Sequence, residues 1–157
     1  MSAAIGPTRH VPRVAFVSSH GGHLSELILL KEAIEGIESF QITYASERTQ
    51  GMPNTYLLAN IGTSPVRMIV SVFQIANILA REKPDAIIST GAEIALPVFL
   101  LGRAMGMKLI FVESLTRVRK PSGTGLLVYP LANLFIVQWP DLLKRYGNRA
   151  EFVGSLL

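Results

Sequence analysis

The stretch FVSSHGGHLSELILL, Phe16 to Leu30, places an apolar run and a helical pattern on either side of one short polar turn. Val14-Ala-Phe-Val17 reads as a buried strand. Leu24, Leu27, Ile28 and Ile34 recur at the spacing of one helix face. His20-Gly-Gly-His23 therefore falls at a strand-to-helix turn, where unpaired backbone N–H groups and the helix dipole attract anions. Glycines at 21 and 22 let a ligand approach the backbone closely, although a tight turn alone would also use them.

The same alternation continues along the chain. Phe40–Tyr44 and Tyr56–Ala59 read as strands around a polar loop, Ser46 to Asn54. Ser64-Pro65 starts a helix that runs to about Arg81 before Pro84. Ala86–Ser89, Lys108–Val112, Leu134–Val137 and Glu151–Val153 are further strands, with helical patterns between them. Strands alternating with helices imply an α/β fold, a Rossmann-like, mainly parallel sheet with helices on both faces. Residues 1–12 are expected to be a flexible segment and residues 13–157 a single domain.

Composition narrows the partners. The chain of 157 residues is 49% hydrophobic and only 17% charged, which leaves apolar surface for a partner or a membrane. A net charge of +4 suits anionic lipid or phosphate ligands. No dense Lys/Arg run interleaved with aromatics occurs, so nucleic acid is not an expected partner. With no cysteine, disulfides and thiolate metal sites are excluded. MSAAIGPTRHVPR does not read as a signal peptide, and Pro65 to Ala80, interrupted by Arg67, Gln74 and Asn77, falls short of a spanning helix. The expected location is cytoplasmic, peripheral to the inner face of the plasma membrane. In the 65–81 helix, apolar residues surround most of the circumference and Arg67, Ser71 and Gln74 form a narrow polar stripe, a pattern of burial on several sides or of lipid contact.

Ligands of parallel sheets bind beyond the carboxyl ends of the strands. That rule singles out His20–His23, Thr90–Glu93, Glu113–Gly125 and Gln138–Pro140. His20, His23 and Glu26 are three apart, but the two glycines interrupt any regular helix through His20, and no metal site is expected. His23 serves better as a general base for a sugar hydroxyl, or as a cap or phosphate donor. Thr90, Gly91 and Glu93 offer hydroxyl and N–H groups to a sugar or phosphate, or form a plain connecting loop with Glu93 favouring the helix dipole. Arg117 can clamp a phosphate or pair with Glu113. Ser122-Gly-Thr-Gly125 is expected to keep that loop mobile, as in a lid.

In order, the strand with S-x-GGH, then TGAE, VESLTRV, TG, VQWPDL and FVGSL resemble bacterial exopolysaccharide and capsule glycosyltransferase subunits. Those subunits look like the membrane-recruiting subunit of the eukaryotic dolichol-linked N-acetylglucosaminyltransferase. Both are similar to the amino-terminal half of a GT-B glycosyltransferase. The resemblance covers about Arg13 to Leu157 and implies half an enzyme, binding the acceptor and approaching the membrane. It implies a UDP-sugar held by a separate catalytic subunit that supplies the carboxyl-terminal GT-B half, with no cofactor on this chain. The implied acceptor is a lipid-pyrophosphate-linked saccharide of polysaccharide biosynthesis. It further implies that Ser19, His20, Gly21, Gly22 and His23 receive the acceptor, with His23 positioning it or removing a proton. Thr90, Gly91, Glu93, Glu113, Ser114 and Arg117 would line the cleft facing the partner. The eukaryotic relatives carry an amino-terminal anchor that the resemblance does not supply here, so membrane contact would fall to the 65–81 helix, basic residues or the partner. The competing readings are a non-catalytic scaffold that only recruits an enzyme, and a small phosphate-ester enzyme using His23 alone.

Overall fold

The computed structural model describes residues 11–156 apart from Glu35 and Thr63. The expectation of a flexible start lies, for residues 1–10, outside the described residues. Seven strands form one sheet: β1 (Arg13–Ser18), β2 (Glu38–Tyr44), β3 (Thr55–Leu58), β4 (Ala86–Gly91), β5 (Lys108–Val112), β6 (Leu134–Val137) and β7 (Ala150–Phe152). Their spatial order is β3-β2-β1-β4-β5-β6-β7, and every pairing is parallel. The helices are α1 (Gly22–Ala33), α2 (Pro65–Glu82), α3 (Ala95–Ala104), α4 (Gly123–Val128) and α5 (Leu143–Tyr146).

Period-2 alternation along the central strands divides the core. Val14, Phe16 and Ile88 face α1 and meet its Leu27. Ala15, Val17, Ile87, Leu109, Phe111, Phe135 and Val137 point to the opposite side. There they meet Ile75, Ile78 and Leu79 of α2, Val98 and Phe99 of α3, Val128 of α4 and Tyr146 of α5. Phe111 lies 5.1 Å from Phe135 in a stacked pair and 6.1 Å from Phe99 edge-on, so one ring ties α3 to two strands.

Chain order reverses at β1. The first crossover carries the chain to β2 and β3 on one side, and α2 returns it to β4 on the other. The carboxyl ends of β1 and β4 therefore diverge into a crevice, the usual ligand position of such sheets.

Helix α2 departs from its sequence reading in one respect. Ser71, in the middle of the expected polar stripe, is buried, while Val66, Ile69, Val70 and Phe73 are 70, 58, 50 and 72% exposed. The helix packs by Ser71, Ile75, Ile78 and Leu79 and turns an apolar face outward. Its start is as expected: Pro65 occupies the first turn and the Ser64 hydroxyl accepts from the Arg67 amide at 3.4 Å. Among the described residues no helix is long and apolar enough to cross a membrane.

Replacing Phe111 by Ala removes the ring shared by α3, β5 and β6 and should cost about 3–5 kcal/mol. A urea titration followed by circular dichroism would show the midpoint fall with little change in slope.

Candidate functional site

The turn after β1 is built for backbone exposure. Gly21 has φ of +89°, a left-handed value that favours glycine, and no side chain caps α1. The first-turn amides are thus left to solvent or a ligand. A Cβ at Gly21 or Gly22 would meet nothing within 4 Å, so the space above these glycines is open. The Ser19 hydroxyl donates to the His20 carbonyl at 3.2 Å, and the His20 ring stands edge-on to Tyr44 at 6.2 Å.

His23 is fastened across the crevice to β4. Its Nδ1 lies 2.9 Å from the Thr90 carbonyl, and the Thr90 hydroxyl donates to the His23 carbonyl at 2.8 Å. A carbonyl oxygen only accepts, so Nδ1 carries the hydrogen and, in the neutral ring, Nε2 keeps its lone pair. Gly91, with φ of +121°, lies beneath this ring: a Cβ there would come within 3.1 Å of His23 Cε1 and 3.2 Å of Nδ1. Ala92 follows with φ of +68°, strained for a residue with a side chain. Glu93 is exposed beside the buried Tyr44 phenol. Burial first, and then the charge of Glu93, push the Tyr44 pKa above its ordinary range, so this hydroxyl stays protonated.

The third loop is organised differently from the sequence reading. Glu113 is 1% exposed and does not face Arg117. Its carboxylate accepts from the Ser114 amide at 3.0 Å, from the Ser122 amide at 3.1 Å and hydroxyl at 3.0 Å, and from the Tyr146 hydroxyl. Burial, then the bond to Glu113, push the Tyr146 pKa upward. Ser122–Gly125 is no loose lid: Ser122 caps α4, accepting from the Gly125 amide at 2.8 Å. A Cβ on Gly125 would collide with the Tyr146 hydroxyl and the Glu113 carboxylate, so this glycine serves close packing. Arg117 is exposed, its amide donating to the Ser114 carbonyl at 2.9 Å.

Two residues outside the expected set lie among these loops. Glu26, one turn into α1, is buried and accepts from the Ser114 hydroxyl at 2.8 Å. Arg48, from the loop between β2 and β3, donates to the Gly21 carbonyl at 3.4 Å and to the Ser25 hydroxyl at 3.0 Å. A carboxylate next to the buried Leu24 and Leu27 is the sequence signal for the first. The second carries none, because only the fold brings residue 48 over residue 21.

The expected set thus divides. Ser19, His20, Gly21, Gly22, His23, Thr90, Gly91 and Glu93 gather around the β1–β4 crevice. Ser114 and Glu113 point into the protein, and Arg117 stands at its surface. His23 bonds to β4 and Glu26 to Ser114, and among the described residues no three His, Asp or Glu side chains converge to hold a metal. A separate concavity of about 790 Å³, lined by Arg13, Lys31, Tyr56 and Glu82, lies at the amino ends of β2 and β3, away from these loops.

A reversed parallel sheet with its glycine-rich turn at the reversal is a Rossmann-like architecture. The fold superposes on MurG of Acinetobacter baumannii with a TM-score of 0.74, at 15% identity over 92% of this chain and 45% of that one. A UDP-N-acetylglucosamine 2-epimerase from Rickettsia bellii gives a TM-score of 0.73 at 13% identity, over 94% of this chain and 46% of that one. The chain spans about half the length of these solved structures. A glycosyltransferase from Rickettsia africae shares the scaffold too, with a TM-score of 0.66 at 12% identity, and its presence beside an epimerase shows that the likeness carries fold and not chemistry.

Residues 56–156 match the family described as oligosaccharide biosynthesis protein Alg14 like, and the chain belongs to that family. Relatives include the UDP-N-acetylglucosamine transferase subunit ALG14 of Yarrowia lipolytica, 27% identical over 96% of this chain and 84% of that protein. The human protein of the same name is 25% identical over 92% of this chain and 82% of its own. These names describe a transferase subunit and not an exopolysaccharide or capsule enzyme, so that part of the resemblance finds no support here.

Gly91→Ala should push the His23 ring by a few tenths of an ångström, lengthening its bond to the Thr90 carbonyl, and cost about 1–2 kcal/mol for the left-handed backbone. Nitrogen chemical shifts of the His23 imidazole would report the weakened Nδ1 bond, and a thermal melt the lost stability.

Proposed function

We propose that this chain is the acceptor-binding, membrane-associating subunit of a two-component glycosyltransferase. The pair would transfer a sugar from a UDP-sugar to a lipid-pyrophosphate-linked saccharide in polysaccharide or glycan biosynthesis. One observation carries the reading: His23, fixed by Thr90 across the β1–β4 crevice, stands at an uncapped helix start with open space above two glycines. Relatives named as transferase subunits, and a fold matching only half of a GT-B enzyme, support a partner that holds the UDP-sugar.

In this reading the first-turn amides of α1, with Arg48 beside them, receive the pyrophosphate, an anion suited to a helix start. The acceptor hydroxyl lies against His23 Nε2. As its oxygen attacks the anomeric carbon, the C–O bond to UDP breaks, the pair of electrons leaves on the diphosphate, and Nε2 takes the hydroxyl proton. Thr90 and Gly91 hold the ring in position. Arg117, exposed on the loop after β5, would meet a phosphate of either substrate.

The outward face of α2 favours a membrane as the surface that covers it. Val66, Ile69, Val70 and Phe73 would enter the interfacial layer, with Arg67 at the headgroups. The same face also favours a second reading, a scaffold that only recruits a complete enzyme. The two readings differ over His23.

Labelled sugar transfer from a UDP-sugar to a lipid-pyrophosphate acceptor should require both subunits together, and His23→Ala should reduce it about a hundredfold or more. Full activity from the partner alone, unchanged by His23→Ala, would establish the scaffold. Full activity from this chain alone would overturn both.

Ile69→Asp with Phe73→Asp should weaken partition onto vesicles of anionic phospholipid by more than about tenfold. Flotation on a sucrose gradient measures this, and unchanged flotation would remove α2 from the membrane contact.

A further inference from the structure

The Glu26 carboxylate is 9% exposed and sits where three carboxyl-end segments meet. Besides the Ser114 hydroxyl at 2.8 Å, it accepts from the Leu115 amide, 3.3 Å from both oxygens, and from Gln138 Nε2 at 3.5 Å. Gln138, 2% exposed at the end of β6, extends the network. Its Nε2 donates to the Glu113 carbonyl at 3.0 Å, and its Oε1 accepts from the Leu156 amide at 3.0 Å. Trp139 Nε1 adds a bond to the Leu115 carbonyl at 2.7 Å.

The donor count explains a charge at this depth. A hydroxyl, a backbone amide and a side-chain NH₂ converge on one group, and only an acceptor with two oxygens and no hydrogen satisfies all of them. The Gln138 amide is likewise fixed in orientation, its NH₂ toward two acceptors and its oxygen toward a donor. A glutamine at position 26 would turn an NH₂ toward at least one of these donors and leave it unpaired in the interior.

We infer that Glu26 is a positioning residue that holds the His23 end of α1 in register with the Ser114–Arg117 loop and, through Gln138, with the segment after β7. The inference rests on the transfer reading for its functional consequence, but not for its structural one. Glu26 lies one turn after His23 on the same helix, so a displaced carboxylate moves the acceptor turn relative to the loop that carries Arg117. Misplacement of a bound acceptor relative to the donor raises KM before it abolishes chemistry when pyrophosphate contacts span both loops.

Two variants, Glu26→Gln and Gln138→Met, test this in the full chain and in the assembled pair. Hydrogen exchange followed by mass spectrometry should show faster exchange at 114–117 and 154–156 in both, with β1 and β4 unchanged. In the pair, KM for the lipid-pyrophosphate acceptor should rise about tenfold while kcat falls by less than about threefold. Unchanged exchange in those two segments overturns the positioning role, whether or not the pair transfers sugar. A fall in kcat at constant KM, in proportion to a lowered melting temperature, would reduce Glu26 to a stability residue and also overturn it. If the unsubstituted pair transfers nothing while exchange responds as stated, the transfer reading fails and the coupling of the three segments stands.

Discussion

Two hydrogen bonds, from His23 Nδ1 to the Thr90 carbonyl and from the Thr90 hydroxyl to the His23 carbonyl, close the point where this sheet changes direction. Parallel pairing of β1 with β4 aligns Ser18 with Gly91, after a register shift beyond Val17. Strand pairing alone would leave two diverging loops there. The reciprocal bonds instead make one corner, with the imidazole lying on a glycine where a Cβ would crowd the ring at 3.1 Å. The proposed acceptor site depends on that corner, because the bond to Thr90 fixes which nitrogen of His23 carries the hydrogen.

The neighbouring loops owe their shape to two buried carboxylates. Charges at such depth are costly unless hydrogen-bonded, and each glutamate here collects several donors from separate segments. Glu113 folds the Ser114–Ser122 loop onto the capped start of α4 and onto Tyr146. Glu26 ties α1 to the loop after β5. The carboxyl-end surface is therefore a set of braced loops, with Arg117 among the side chains left at its surface.

Sequence patterns gave the strands and helices closely, because buried parallel strands are apolar runs and their connecting helices carry start signals such as Ser64-Pro65. The reversal of strand order at β1 came only with the fold. What the pattern hid was direction. Glu113 beside Arg117 reads as a surface pair, yet the chain turns the carboxylate inward, where Ser122 and Tyr146 await it from 9 and 33 residues away. Gly125 reads as a hinge, although its lack of a side chain makes room for those same groups. Ser71 reads as the wet side of α2 and is buried, while Phe73 of the same helix is 72% exposed. Long-range contacts decided each case, and none leaves a local trace.

The borders of the sheet have a different consequence. β3 has four residues and β7 three, so each edge offers only a short row of unpaired backbone groups. Short borders give a foreign strand little to pair with, a protection that matters in a chain this rich in apolar residues. Growth of the sheet from molecule to molecule is thereby discouraged at both ends. Any sticking between copies is left to side chains on the helical layer, where charge and detergent can disperse it, rather than to the backbone ladders that make aggregates irreversible.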